Sequence, residues 1–236
     1  KHLLQTGEYR VPSIGAADMV MHQRIPSWPV GLPLALAGVF SVFGAEEEVA
    51  RLFTIFSSSL LAPLTAAIAF LSLGNVSAAI GAGIVTCIHP LAVAFGGQIF
   101  TNNFSIPLFF AGLYFLLGSL VKNAGGLILP CQEVAADRRR LSYFSIAFLA
   151  FGFMLTVRDT DAMLTLPVLY LLWKAKFFEP LWNFHFTAWK PWRTLVGIAS
   201  GMLVIGWSPA LYFNIINFGS PFVSTHYQTG IRLSTE

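Results

Sequence analysis

Apolar positions run through this chain in long blocks rather than in stripes. From Leu52 to Val121, about 70 residues pass without an Asp, Glu, Lys or Arg, where one bilayer-crossing helix needs about 20 apolar residues. A helix on a water-soluble core keeps a polar stripe every 3.6 residues on its outer face. This block has none, so its outer faces are expected to meet lipid. The turn pair Gly74-Asn75, and the polar interruption of Gly96-Gly97-Gln98 with Thr101-Asn102-Asn103, divide it. The spans then fall at Val49 to Leu73, Ser77 to Phe95 and Phe104 to Val121, followed by Leu141 to Val157, Ala162 to Phe178 and Leu195 to Phe218. Each must be helical: an open sheet would leave backbone N–H and C=O groups unpaired in lipid, and the period-two alternation of a barrel is absent. The expected fold is all-α, a polytopic transmembrane helical bundle of about six spans.

Outside the spans, residues 1–48 are expected to form an external loop holding one short helix, and Pro29 to Gly44, about 16 apolar residues, reads as an interfacial helix. Residues 49–218 form the bundle, and 219–236 begin the next external segment. Lys122, Arg138, Arg139 and Arg140 fill one connection, and Lys174, Lys176, Lys190 and Arg193 another. The two lie an even number of spans apart, so both fit the cytoplasmic side under the positive-inside rule. Residues 1–48, Gly96 to Asn103, Arg158 to Asp161 and 219–236 are then left outside. Trp173, Trp182, Trp189 and Trp192 cluster near the second basic connection, at headgroup level.

Composition agrees: 56% of residues are hydrophobic, 11% are charged and the mean hydropathy is +0.69. A net charge of +3 follows from the basic loops, so no nucleic-acid partner is implied. Cys87 and Cys131 make neither a disulfide framework nor a paired metal motif. The chain begins at Lys1 without Met, signal peptide or first span, and is expected to be a fragment.

On the external side, Arg158-Asp159-Thr160-Asp161 puts two carboxylates and a guanidinium at a membrane edge, where ionisable groups are costly and often functional. The plain alternative is a tight polar turn in which Asp161 caps the next helix. Asp18, His22 and Arg24 offer a base, a proton shuttle and a phosphate ligand, or simply belong to a solvated loop. Arg51 opens the charge-free block and either meets a lipid phosphate bidentately or snorkels. Glu46-Glu47-Glu48 suits the positive end of a helix dipole. His89 before Pro90 reads as an interior histidine at a helix kink. No HExxH, Gly-rich phosphate loop or Gly-x-Ser-x-Gly element occurs, which removes metalloprotease, nucleotide-motor and serine-hydrolase readings.

The order of several short elements resembles the polytopic GT-C glycosyltransferases of the dolichyl-phosphate-mannose protein mannosyltransferase and aminoarabinose transferase type. Lys1-His2-Leu3-Leu4-Gln5-Thr6-Gly7-Glu8-Tyr9 resembles the end of their first external loop, and Pro29-Val30-Gly31-Leu32-Pro33-Leu34 their Pro-Pro-Gly-Tyr-Pro element. Ala50-Arg51-Leu52 is similar to the opening of the next span. His89-Pro90-Leu91 to Thr101-Asn102-Asn103 resembles the Pro-containing helix and its Thr-Asp turn. Thr156 to Pro167 resembles a Leu-Thr-Arg segment, and Asn217 to Phe222 a Phe-Gly-Ser-Pro turn.

The resemblance implies an integral membrane enzyme, in the plasma membrane of a prokaryote, with its active face outside. Its partners would be the bilayer, a polyprenyl-phosphate-linked sugar as donor, and a protein, lipid or glycan acceptor. Arg24, Arg51 and Arg158 would sit near the phosphate, supported by Asp159, Asn102, Asn103 and Asp161. The catalytic acid would lie before Lys1, with Asp18 as a weak substitute. Asn102 stands where many relatives have Asp and cannot act as a base. No cofactor is demanded by a motif, and help from a divalent cation stays open. A polytopic transporter and a non-catalytic membrane scaffold are the competing readings. A transporter would put ionisable groups near mid-membrane and break helices in paired halves.

Overall fold

The computed structural model describes residues 11–14, 21–24, 29–96, 98–99, 101–126, 128–129, 131–157, 164–177, 186–218 and 220–221. The described chain is nearly all helical, and four of its helical stretches are long and apolar enough to cross a membrane: Glu47–Leu73, Asn102–Leu120, Arg138–Val157 and Pro191–Ile216.

The expected short helix in the first loop is not among the described residues. The described part of that loop is a two-stranded antiparallel hairpin, β1 (Val11–Ile14) on β2 (Met21–Arg24), pairing Val11 with Arg24 and Ser13 with His22. Met21 is the sole apolar residue of Met-His-Gln-Arg, so a helix there would have no apolar face to bury, and the strand is held by its backbone pairing. Next comes α1 (Gly31–Phe43), an apolar helix of 13 residues as the Pro29 to Gly44 block suggested.

The expected first span is one 27-residue stretch built from two helices, α2 (Glu47–Ser59) and α3 (Leu61–Leu73). Their junction at Leu60 has a chemical cause. Pro63 has no N–H to give the Ser59 carbonyl, and the Leu60 N–H turns to the Ser57 oxygen at 3.2 Å. The expected second span is broken too, into α4 (Val76–Ile88) and α5 (Pro90–Gly96). His89 between them is extended, with φ −61° and ψ 123°, because the Pro90 ring excludes the helical conformation from the residue before it. His89 is exposed, so the kink falls where expected but the imidazole is not interior.

Then follow α6 (Asn102–Leu120), α7 (Cys131–Ala136), α8 (Arg138–Val157), α9 (Thr165–Lys174) and α10 (Phe186–Phe218). The stretch expected as a fifth span, Ala162 to Phe178, contains the ten-residue α9, about 15 Å long, half a hydrocarbon core.

Helix α8 lies at the centre, packed on α6 along one side and on α10 along another. The core they share is aromatic: Phe144 and Phe148 meet at a tilt of 45° with centroids 4.8 Å apart, and Phe151 meets both Phe148 and Phe109. Backbones come closest where α8 crosses α10. A Cβ on Gly152 would run into the Leu203 carbonyl, and one on Gly206 into the Leu149 carbonyl. The α2–α5 group leans on α6 and leaves Leu52, Phe56, Val76, Ile84 and Val93 mostly exposed. Apolar side chains therefore cover the outside of the bundle as well as its centre, the arrangement that the unstriped sequence demands.

Hydroxyl groups follow the same logic. Thr54, Thr65, Thr86 and Ser145 each donate to the carbonyl four residues back, at 2.7–2.9 Å. A hydroxyl inside an apolar helix satisfies itself in this way when no water is at hand.

Candidate functional site

The bundle has two chemically different ends. At one, the Gly125 N–H donates to the Leu71 carbonyl at 2.9 Å, joining the α3–α4 turn to the connection after α6. Gly74 and Gly125 meet there with φ of 65° and 68°, so neither position suits a side chain. Exposed cations crowd this end: Lys122, Arg138, Arg139, Lys174 and Arg193. Arg140 is partly buried and structural, donating to the carbonyls of Ser119 (3.1 Å) and Val121 (3.0 Å) and pairing with Asp137 at 3.3 Å. It thereby satisfies the open C-terminal carbonyls of α6.

The other end gathers segments far apart in sequence. The start of α1 packs against the finish of α8, where Gly31 touches Thr156 so closely that a Cβ has no room. Val30 joins Ala210 and Phe213 near the finish of α10. The starts of α2 and α6 meet through Phe53 and Phe104, with ring centroids 5.3 Å apart, and Phe104 reaches Phe153 of α8 at 6.1 Å. Gly31, Arg51, Asn102 and Thr156 thus belong to one end of the bundle.

Of the candidate residues, Arg51 is 59% exposed and pairs with Glu47 one turn earlier at 3.0 Å. It lies beside, not within, the buried stripe of Ala50, Thr54 and Ser57 that faces the bundle. Glu47 and Glu48 occupy the first turn of α2, as the dipole argument requires. Asn102 and Asn103 open α6, and the Asn103 amide donates to the Gln98 carbonyl at 2.7 Å, closing the α5–α6 connection. Arg24 stands at the end of β2, paired through its backbone register with Val11. Asp18, Arg158, Asp159 and Asp161 lie outside the described residues; among the described residues, Glu47 is the carboxylate that pairs with Arg51. Cys87 is exposed on α4. Among the described residues, no three His, Cys, Asp or Glu side chains gather as metal ligands would.

One feature escaped the sequence. Ser105, in the first turns of α6, is fully buried and its hydroxyl has no hydrogen-bond partner. A buried donor left unpaired costs about 1–3 kcal/mol, and this one sits beside the two asparagines. Phe104 and Ile106 flank it with equal hydrophobicity, so no periodicity marks its face as the buried one.

The described residues therefore define a helical bundle with four helices long and apolar enough to cross a membrane, its charged groups sorted to two ends. No known protein family, curated protein or solved structure matches the chain.

Proposed function

We propose that the chain is an integral membrane glycosyltransferase of GT-C type, moving a sugar from a polyprenyl-phosphate donor to a protein, lipid or glycan acceptor at the cation-poor end of the bundle. What carries the reading is the convergence there of Gly31, Arg51, Asn102 and Thr156. Each comes from one of the short elements whose order in the sequence resembles that family. In this reading α4 with α5, and α9 with its flanks, supply the two remaining membrane segments beside the four long helices, and the reacting end faces outward from a prokaryotic plasma membrane.

The chemistry asks for few groups. A polyprenyl donor is reached from within the bilayer, its departing phosphate needs cationic stabilisation, and the acceptor hydroxyl needs a base at the water edge. Arg51 supplies the cation, with Arg24 and Arg158 as its companions, and Asp18 is the candidate base within this sequence. The Arg51–Glu47 pair does not stand in the way. An exposed i,i+4 pair is worth about 0.3–0.5 kcal/mol, whereas a hydrogen bond to a charged group contributes about 1.5–3 kcal/mol. Releasing Glu47 therefore costs an incoming phosphate little.

The test is binding in nanodiscs, comparing polyprenyl phosphate with the uncharged polyprenol of the same length. We expect the phosphate to bind at least about tenfold more tightly, one charge-assisted contact, and Arg51→Ala to remove most of that preference. Arg51→Lys should recover little, because the bidentate fork is lost. Equal binding of phosphate and alcohol by the unaltered chain would overturn the reading.

A further inference from the structure

Helix α9 stands off from its neighbours. Among the described helices, α8 packs closely on α6 and α10, whereas α9 makes no backbone contact of comparable extent with any of them. Its inner face is nevertheless dry, with Val168 and Leu172 only 7% and 5% exposed. What lies between that face and the bundle is an apolar cavity of about 160 Å³, which these two residues share with Phe109 of α6, Phe148 and Phe151 of α8, and Leu203 of α10.

Size and lining specify the guest. The volume is comparable with that of a ~150 Å³ cavity lined by apolar side chains that stays dry and takes up benzene or xenon. Water gains nothing here, because Thr165 is the sole polar residue among those lining the space and is itself exposed. An acyl chain long enough to cross half of a hydrocarbon core of about 30 Å does not fit. Three phenyl rings stand on the wall, with Phe151 5.9 Å from Phe109 and 6.0 Å from Phe148. Rings prefer offset or edge-to-face partners at such separations, so a further single ring continues the cluster. Left empty, the cavity forfeits the dispersion contacts of every side chain around it.

The guest has a way in. Leu169 lines the cavity and is 47% exposed, so the wall reaches the apolar exterior of the bundle, where small apolar molecules dissolved in a bilayer concentrate.

We propose that the cavity behind α9 is a binding site for one small, single-ring aromatic molecule taken up from the bilayer, and that its occupancy ties α9 to the bundle. The lining runs to Met154, Leu155 and Leu164, so the site adjoins the end assigned to sugar transfer. With no charged residue on its wall it holds neither sugar nor phosphate, and it stands whether or not the glycosyltransferase reading holds.

The experiment titrates the whole chain in nanodiscs with fluorobenzene, read by fluorine NMR. The expected result is one saturable site per chain, distinct from the pool dissolved in the lipid and emptied by added benzene. Val168→Phe occupies the cavity and removes the saturable component, while Leu166→Phe, on the outer face at 68% exposure, leaves it. With benzene at ten times its dissociation constant, amide exchange from Val168 to Leu172 slows about tenfold in the unaltered chain. Absence of a saturable component there, its persistence in folded Val168→Phe, or unchanged exchange in α9 at saturation overturns the proposal. Should Val168→Phe fail to fold, the unaltered chain must admit fluorobenzene and exclude the two-ring 1-fluoronaphthalene, and equal admission of both overturns it as well.

Discussion

Gly206 and Gly197 share helix α10 and one amino-acid identity, yet their surroundings differ completely. A Cβ at Gly206 would collide with the Leu149 carbonyl, whereas one at Gly197 would meet nothing within 4 Å. Overpacking a tight contact costs about 1–3 kcal/mol, while Gly→Ala at an open helical position gains up to about 1 kcal/mol. We therefore expect Gly206→Ala to lower the thermal midpoint of the detergent-solubilised chain and Gly197→Ala to hold or raise it. Equal shifts in the two variants would mean that the α8–α10 crossing is looser than described. Neither outcome is readable from the sequence, where both glycines stand among apolar neighbours. Ser105 and Thr156 teach the same lesson, because a helix that is apolar all round gives no stripe to tell its buried face from its exposed one. What the residue scale did yield in advance is narrower: the acidic first turn of α2, the turn at Gly74 and the kink at His89.

At the scale of elements, the hydrophobic blocks located the helices but not their continuity. Composition announces an apolar stretch, while continuity depends on which N–H groups proline removes. Pro63 and Pro90 each divide a block into two helices, yet Pro107 sits inside α6 and Pro209 inside α10 without ending either. The hairpin of β1 and β2 was missed because its four-residue strands, Val-Pro-Ser-Ile and Met-His-Gln-Arg, carry no alternation that sets them apart from the polar, proline-bearing loop around them. The α4–α5 break offers a direct check. Pro90→Ala restores an N–H for the Thr86 carbonyl and frees His89 from its extended conformation. We expect the two helices to merge, so that spin labels at Ser77 and Ala94 move apart toward about 26 Å, the length of a straight helix over that interval. An unchanged distance distribution would place the cause of the break in packing against α2, where the Ser58 hydroxyl also donates to the Gly96 carbonyl at 3.2 Å, and not in the proline.

Over the whole molecule, the strongest agreement between sequence and structure is the sorting of charge. The two basic connections, about 50 residues apart in sequence, come to the same end of the bundle, because α9 returns the chain from the finish of α8 to the level of Phe144. The Phe177 and Phe144 rings lie 6.4 Å apart, and Phe177 meets Trp192 at 6.5 Å. Glu46, Glu47 and Glu48 lie at the start of α2, with Arg51 one turn on as the described cation of that end. Lysine and arginine resist translocation while acidic residues contribute little, so we expect this sorting to give the bundle a preferred orientation even though its helices are apolar on every side. In a Cys87→Ala, Cys131→Ala background, Glu46→Cys should react with a membrane-impermeant maleimide on intact cells. Lys122→Cys, exposed at the basic end, should react after permeabilisation and not before. Because the two positions report opposite ends of one packed bundle, the labels must exchange together if the orientation is reversed. That exchange would place the Arg51 end in the cytoplasm and remove the outward-facing sugar transfer. Reaction of both labels on intact cells would show that the two ends do not lie on opposite sides of a membrane, and the charge sorting would then have no topological meaning.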